Sequence, residues 1–166
     1  AMFAYVTALS LDIRSTKFAT PNGLSDNNVR QILQDSRGYI WFATFNGLTR
    51  YDGYDMVKYM PLDGRLAGRE PQVRSLFEDS EGYLWIMGYN DIVCCLNLEK
   101  DRFERFLPDK GKEERYRYAK EMPDRSVWLW GESGLRRITH TAEGLKSEKI
   151  ETRLFGTDNI IRVEAD

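Results

Sequence analysis

Histidine is all but missing from these 166 residues, cysteine is scarce, and neither sign of charge prevails. One histidine, His140, and the adjacent pair Cys94 and Cys95 cannot supply the four ligands of a structural zinc site, which usually come as two CxxC or HxxxH pairs. No metal is expected. Neighbouring residues of a strand point to opposite faces, so Cys94 and Cys95 are not expected to bridge each other, and cysteine usage says little about compartment. Lys and Arg number 24 against 26 Asp and Glu, a net charge of −2, which gives neither a basic footprint for direct nucleic-acid binding nor an acidic disordered tail. Apolar runs are short. The nearest to a membrane span is Met2 to Leu11, which contains Thr7 and Ser10, is followed by Asp12 and has no basic leader, so no complete signal peptide is expected. No glycine-rich loop stands before a helix, so no cofactor is expected. His140 has no Ser or Cys nucleophile near it in sequence and is read as an exposed residue at a strand end; no catalytic set is legible.

What the chain does have is apolar content of 42%, including 13% aromatics, and a strong internal repeat. Val29, Ile32, Asp35, Gly38, Tyr39 and Trp41 recur as Val73, Leu76, Asp79, Gly82, Tyr83 and Trp85, each 44 residues later. A weaker third copy holds Val127, Trp128, Gly131, Gly134 and Leu135, with Trp128 and Gly131 lying 43 residues beyond Trp85 and Gly88. Ile160 to Asp166 opens the pattern once more. Within one period, β-type runs at 29–34, 39–44, 48–51 and 56–60 are separated by turns rich in Gly, Asn and Asp. Four strands in about 44 residues is the unit of a β-propeller blade. The expected class is therefore all-β, a partial β-propeller of about three four-stranded blades plus the first strand of another. The boundaries read as a lead-in strand and loop at 1–28, blades at 29–72, 73–115 and a degenerate 116–159, and the start of a further blade at 160–166.

The spaced residues Val29, Ile32, Asp35, Gly38, Ile40, Trp41, Gly47, Leu48, Arg50, Tyr51 and Asp52 resemble the two-component regulator propeller repeat. The resemblance runs over roughly residues 18–166. It departs in the third copy, where Glu121 to Arg125 replaces the usual Asp and Gly ahead of Trp128. The resemblance implies a periplasmic, ligand-sensing propeller region of a membrane-bound hybrid two-component sensor kinase of Bacteroidetes, with a dimeric parent and an oligosaccharide as ligand. A protein-interaction scaffold and a propeller lyase or hydrolase are the alternatives. The kinase core, its phospho-acceptor histidine and a receiver are absent from these residues, so no catalysis is expected of them.

Residues that recur in every blade are read as structural first. Asp35, Asp79 and Asp166 are expected to accept backbone hydrogen bonds in the turn after the inner strand, the other reading being a ring of carboxylates for acid–base work or Ca²⁺. Trp41, Trp85 and Trp128 are expected between blades, where truncation would cost about 3–5 kcal/mol, rather than as a sugar platform. Gly38, Gly82 and Gly131 belong to the same frame. Function should lie where the repeat breaks. Phe45 and Asn46, with their counterparts Tyr89 and Asn90, pair an aromatic with an amide after the second strand, a combination that can hold a sugar. Leu62 to Gln72, with Arg65, Arg69 and Glu70, is a long polar connection. Arg115 and Arg117 alternate with Tyr116 and Tyr118, as for an oligosaccharide, an anionic ligand or single-stranded nucleic acid, the last disfavoured by the want of a basic surface; on a strand, the arginines would share one face and the tyrosines the other.

Propellers close at about four to eight blades, and the length divided by the period gives about 3.8 units. The chain reads as a piece of a larger propeller whose open blade edges favour self-association. Light scattering at micromolar concentration should then report a mass above 19.4 kDa, and a monomer mass would count against it.

Overall fold

A computed structural model describes residues 16–59, 72–104 and 114–151. The Met2 to Leu11 run, the connection from Leu62 to Pro71 and the segment Ile160 to Asp166 lie outside the described residues. Among the described residues, twelve strands form three antiparallel sheets of four, each in simple sequential order. The first comprises β1 (Val29–Gln34), β2 (Ile40–Thr44), β3 (Gly47–Tyr51) and β4 (Met56–Tyr59). The second holds β5 (Val73–Glu78), β6 (Tyr83–Gly88), β7 (Val93–Asn97) and β8 (Arg102–Glu104). The third holds β9 (Tyr118–Glu121), β10 (Val127–Gly131), β11 (Gly134–Thr141) and β12 (Gly144–Ile150). These are three blades of a β-propeller. Ahead of them a single 3₁₀ turn, Thr20–Asn22, sets Leu24 and Phe18 over the outer face of blade one, with Phe18 5.2 Å from Phe42 and 4.9 Å from Tyr51.

The period-2 geometry of a strand sends alternate residues to opposite faces, and blade two is apolar on both. Leu84, Ile86, Cys94 and Leu96 pack with Trp41, Ala43 and Leu48 of blade one. Trp85, Met87, Val93 and Cys95 pack with Tyr116, Val127, Leu129 and Ile138 of blade three. Cys94 and Cys95 thus lie in two different cores and do not bridge each other, and burial pushes the Cys95 thiol well above its ordinary value. Trp41 turns toward blade two and Trp85 toward blade three. Trp41 and Trp85 are fully buried, and Trp128 is half-buried.

A buried indole N–H needs an acceptor, and the turn before it supplies one. Asp35 accepts Trp41 Nε1 at 2.9 Å on one oxygen and the backbone N–H groups of Arg37 and Tyr39 on the other. Asp79 repeats this with Trp85 at 2.7 Å, Glu81 and Tyr83. Gly38 and Gly82 close these turns at φ of 90° and 79°, a left-handed conformation that glycine adopts without strain. Blade three builds the same turn from other residues. Met122 stands where the aspartate was, Arg125 takes the left-handed position at φ 62°, and Trp128 Nε1 donates instead to Ser126 Oγ at 2.9 Å. Asp124 holds that hydroxyl at 2.6 Å and is itself held by Arg137 at 2.7 Å.

Polar contacts fasten the blades at the same turns. Glu78 accepts both N–H and Oγ–H of Ser36, and Glu121 does the same for Ser80. The Gln31 amide bonds both backbone groups of Leu76, at 2.9 and 2.8 Å. Beyond the shared serine–glutamate contacts the two joints differ, the Gln31 pair belonging to the first. At the first, Arg37 bridges Asp35 to the Leu98 carbonyl, while Asp101 accepts Tyr59 Oη at 2.7 Å and pairs with Arg50 at 3.4 Å. At the second, His140 donates Nε2–H to Asp79 at 3.0 Å, with its ring 4.7 Å from Tyr83.

This corrects the reading of His140 as exposed. Its side chain is 14% exposed, because β11 runs eight residues and carries it back over the neighbouring blade. For Asp79, burial alone would raise the pKa; the hydrogen bonds from His140, Trp85 and the Tyr83 N–H outweigh it and hold the carboxyl below its ordinary 3.8. A depressed folded-state pKa stabilises at neutral pH, and that contribution fades as pH falls below 3.8 through the lower folded value. Asp79→Asn should therefore lower stability at pH 7 and flatten the acid limb of the stability–pH profile, measured by urea unfolding between roughly pH 2 and 7. An unchanged acid limb would count against this role.

Candidate functional site

The loops after the second strand of each blade, together with the start of each inner strand, line one end of the three sheets. Phe45 follows β2 and Tyr89 follows β6, and both stand partly in solvent at 39% and 45% exposure. Their ring centroids lie 6.5 Å apart at 57°. The guanidinium of Arg30, on β1, sits 5.9 Å from the Phe45 ring and 5.6 Å from the Tyr89 ring. The result is an aromatic pair from two blades with a cation against both faces, an arrangement suited to stacking a planar or ring-shaped ligand.

The same end continues into blade three. Arg74, on β5, lies 5.7 Å from the Tyr118 ring and donates Nη2–H to the Arg117 carbonyl. Arg117 lies 6.0 Å from Tyr118, whose ring stacks on Trp130 at 5.5 Å. Glu132 stands where the first two blades have Phe45 and Tyr89. Asn46 is half-buried; its backbone N–H donates to Thr44 Oγ1 at 3.2 Å, and its side chain has no hydrogen-bond partner among the described residues. Asn90 turns inward: its Oδ1 accepts the Ile92 N–H at 3.3 Å and lies against the Cα of Gly88, which makes it a turn former. Arg115 is fixed through its backbone, with its N–H on Ser133 Oγ at 2.7 Å and its carbonyl accepting the Ser133 N–H at 3.1 Å.

Of the residues proposed from sequence, Phe45 and Tyr89 come together, and Arg117 joins Arg74. The tyrosines of the Arg115 to Tyr118 run do not share a face: Tyr116 is fully buried, whereas Tyr118 is 40% exposed. Strict alternation fails because β9 begins only at Tyr118, and the chain before it passes close over Gly131. Tyr116 then reaches into the core, where its hydroxyl bonds Glu114 at 2.7 Å and the buried Arg136 at 3.0 Å; burial leads the causes that raise its pKa to about 12. Arg30 and Arg74 were missed, although the repeated Val–Arg step at 29–30 and 73–74 was the signal.

The space between blades one and two offers no comparable site. Its cavity, lined mostly by apolar residues such as Leu48, Tyr59, Ile86 and Phe103 and also by Gln72 and Asn90, is about 20 Å³, room for one water. Among the described residues no three His, Cys, Asp or Glu side chains converge as a metal site requires.

This frame agrees with known proteins. The model of the two-component regulator propeller matches residues 23–46 and 68–90, so blades one and two carry that repeat. The extracellular domain of a hybrid two-component system from B. thetaiotaomicron superposes with a TM-score of 0.62 at 19% identity, covering 81% of this chain and 20% of that one. A second such domain from the same organism gives 0.60 at 20% identity, over 80% of this chain and 18% of that one. Virginiamycin B lyase from Staphylococcus aureus gives 0.51 at 18% identity, over 76% and 42%. At such identities the likeness is one of fold. The chain spans about a fifth of the length of the two extracellular domains. No curated protein matches it in sequence.

Gly131 fixes the height of Arg117, since a Cβ there would come within 2.7 Å of the Arg117 backbone nitrogen and 3.0 Å of the Arg115 oxygen. Gly131→Ala should destabilise the chain by about 1–3 kcal/mol in urea unfolding, as overpacking against backbone does. A neutral effect would show that residues 115–117 are free to shift.

Proposed function

We propose that this chain is part of the extracytoplasmic sensing region of a two-component regulator and binds a carbohydrate-derived ligand at the Phe45–Tyr89–Arg30 end. The observation that carries this reading is the exposed aromatic pair, contributed by two blades and backed by a cation, on a frame of hydrogen-bonded sheets. Aromatic faces are apolar surfaces of the size of a sugar ring, and neighbouring arginines supply directional donors to hydroxyl or carboxyl oxygens. The regulator repeat in blades one and two supports a sensor, and the extracellular hybrid-system domains of the same fold support placement outside the cytoplasm, on the periplasmic side. His140, the first residue an acid–base mechanism would need, is engaged with Asp79 between blades. The signal would travel through a dimeric parent to transcriptional control.

A panel of neutral and acidic plant and host oligosaccharides, read by thermal shift, tests this. A ligand present at 100 times its dissociation constant should stabilise the chain by about 2.7 kcal/mol. Phe45→Ala and Tyr89→Ala should abolish the shift while leaving the unliganded melting temperature nearly unchanged, because both rings are partly in solvent. Turnover of a saccharide would favour an enzyme instead, and a panel without any shift would overturn the carbohydrate reading.

A further inference from the structure

Arg30, Arg74 and Arg117 occupy one position in three successive blades, 44 and 43 residues apart. The pairing of β1 with β2 slips at the first of them: Val29 faces Thr44 and Gln31 faces Ala43, which leaves Arg30 as the extra residue of a β-bulge. β5 slips in the same place, with Val73 opposite Gly88 and Ser75 opposite Met87, and Arg74 is the extra residue. Arg117 lies just ahead of β9, tied by its N–H to the Trp130 carbonyl at 3.0 Å. A bulge releases one residue from strict alternation and re-aims its side chain, and such features concentrate at barrel rims and binding sites.

Charge provides an independent observation. The chain carries more acidic than basic residues, and Arg50, Arg125, Arg136 and Arg137 each meet a carboxylate within 3.4 Å. Among the described residues, Arg30, Arg74 and Arg117 do not. Each of the first two instead reaches across its blade boundary in the same sense, Arg30 to Tyr89 and Arg74 to Tyr118 and the Arg117 carbonyl. Cations gathered at one end with no carboxylate in contact among the described residues repel one another, and an anion brought among them relieves that repulsion. The planar guanidinium fork matches carboxylate and sulfate oxygens in particular.

We infer that the ligand of this end is an acidic saccharide, its carboxylate or sulfate held by the bulged arginines Arg30 and Arg74 while a sugar ring lies on Phe45 or Tyr89. This rests on the carbohydrate-binding reading above and narrows it to one chemical class.

Titration calorimetry of the 166-residue chain separates the possibilities. The probes are trigalacturonic acid, its methyl ester (which keeps the rings and removes the charge), a sulfated chondroitin disaccharide and inorganic sulfate. At least one of the two acidic sugars should bind about tenfold or more tightly than the ester, the difference made by one charge-assisted hydrogen-bonded contact, and should weaken as salt rises. Arg30→Gln and Arg74→Gln should each weaken that sugar by about tenfold and weaken any binding of the ester by less. Arg30 is exposed, so its variant should retain the parent melting temperature and keeps the test sound if Arg74→Gln fails to fold. Ester binding as tight as the acid, sulfate binding as tight as either sugar, or full acid affinity in Arg30→Gln would each overturn the inference. If neutral sugars bind and acidic ones do not, this inference alone falls; if no saccharide binds, the carbohydrate reading falls with it.

Discussion

A four-stranded sheet with apolar side chains on both faces is stable in water only when something covers each face. Every other feature of this molecule answers to that constraint. Blade two is covered on both sides by its neighbours, and the outer face of blade one is covered by Leu24 and Phe18. Trp41 and Trp85 span the gaps to blades two and three, and the one polar atom of each would be expensive to bury unpaired. The aspartate of the preceding turn resolves this by accepting the indole N–H on one oxygen and the turn's own N–H groups on the other. One carboxylate therefore shapes a turn and permits a dry interface together.

Where the polar partners are local, the sequence made the fold readable. Asp35, Gly38 and Trp41 lie within seven residues and recur intact in blade two. In blade three the same hydrogen bonds survive with other atoms. Ser126 and Asp124 replace the single aspartate, Arg125 takes the glycine's backbone conformation, and Met122 keeps only the backbone contacts of the turn. A comparison of residue types registers this as decay, although the geometry is retained. His140 was misplaced for a related reason: its partner, Asp79, is 61 residues away and belongs to another blade. Nothing next to either residue in the chain announces that bond.

The candidate site was legible in part. Phe45 and Tyr89 stood out because they interrupt a repeat at equivalent places, and the frame brings equivalent places of adjoining blades side by side. Asn90 occupied an equally suggestive position yet shapes its own turn, a choice that depends on backbone angles. Arg30 and Arg74 were hidden by the rule that exposed the strands. Counting alternate residues assigns every position to one of two faces, whereas a bulged residue belongs to neither.

The unlike contacts at the two blade joints have a further consequence. Blades of nearly equal length and similar sequence are interchangeable parts, and a chain built from them is open to stacking in the wrong order or trading a blade with another copy. Arg37 reaching Leu98 together with Asp101 receiving Tyr59 and Arg50 makes one key. His140 seated between Asp79 and Tyr83 makes another. Each joint thus recognises its proper neighbour, and the order of the blades in space is written into a few polar side chains rather than into the apolar faces they all share.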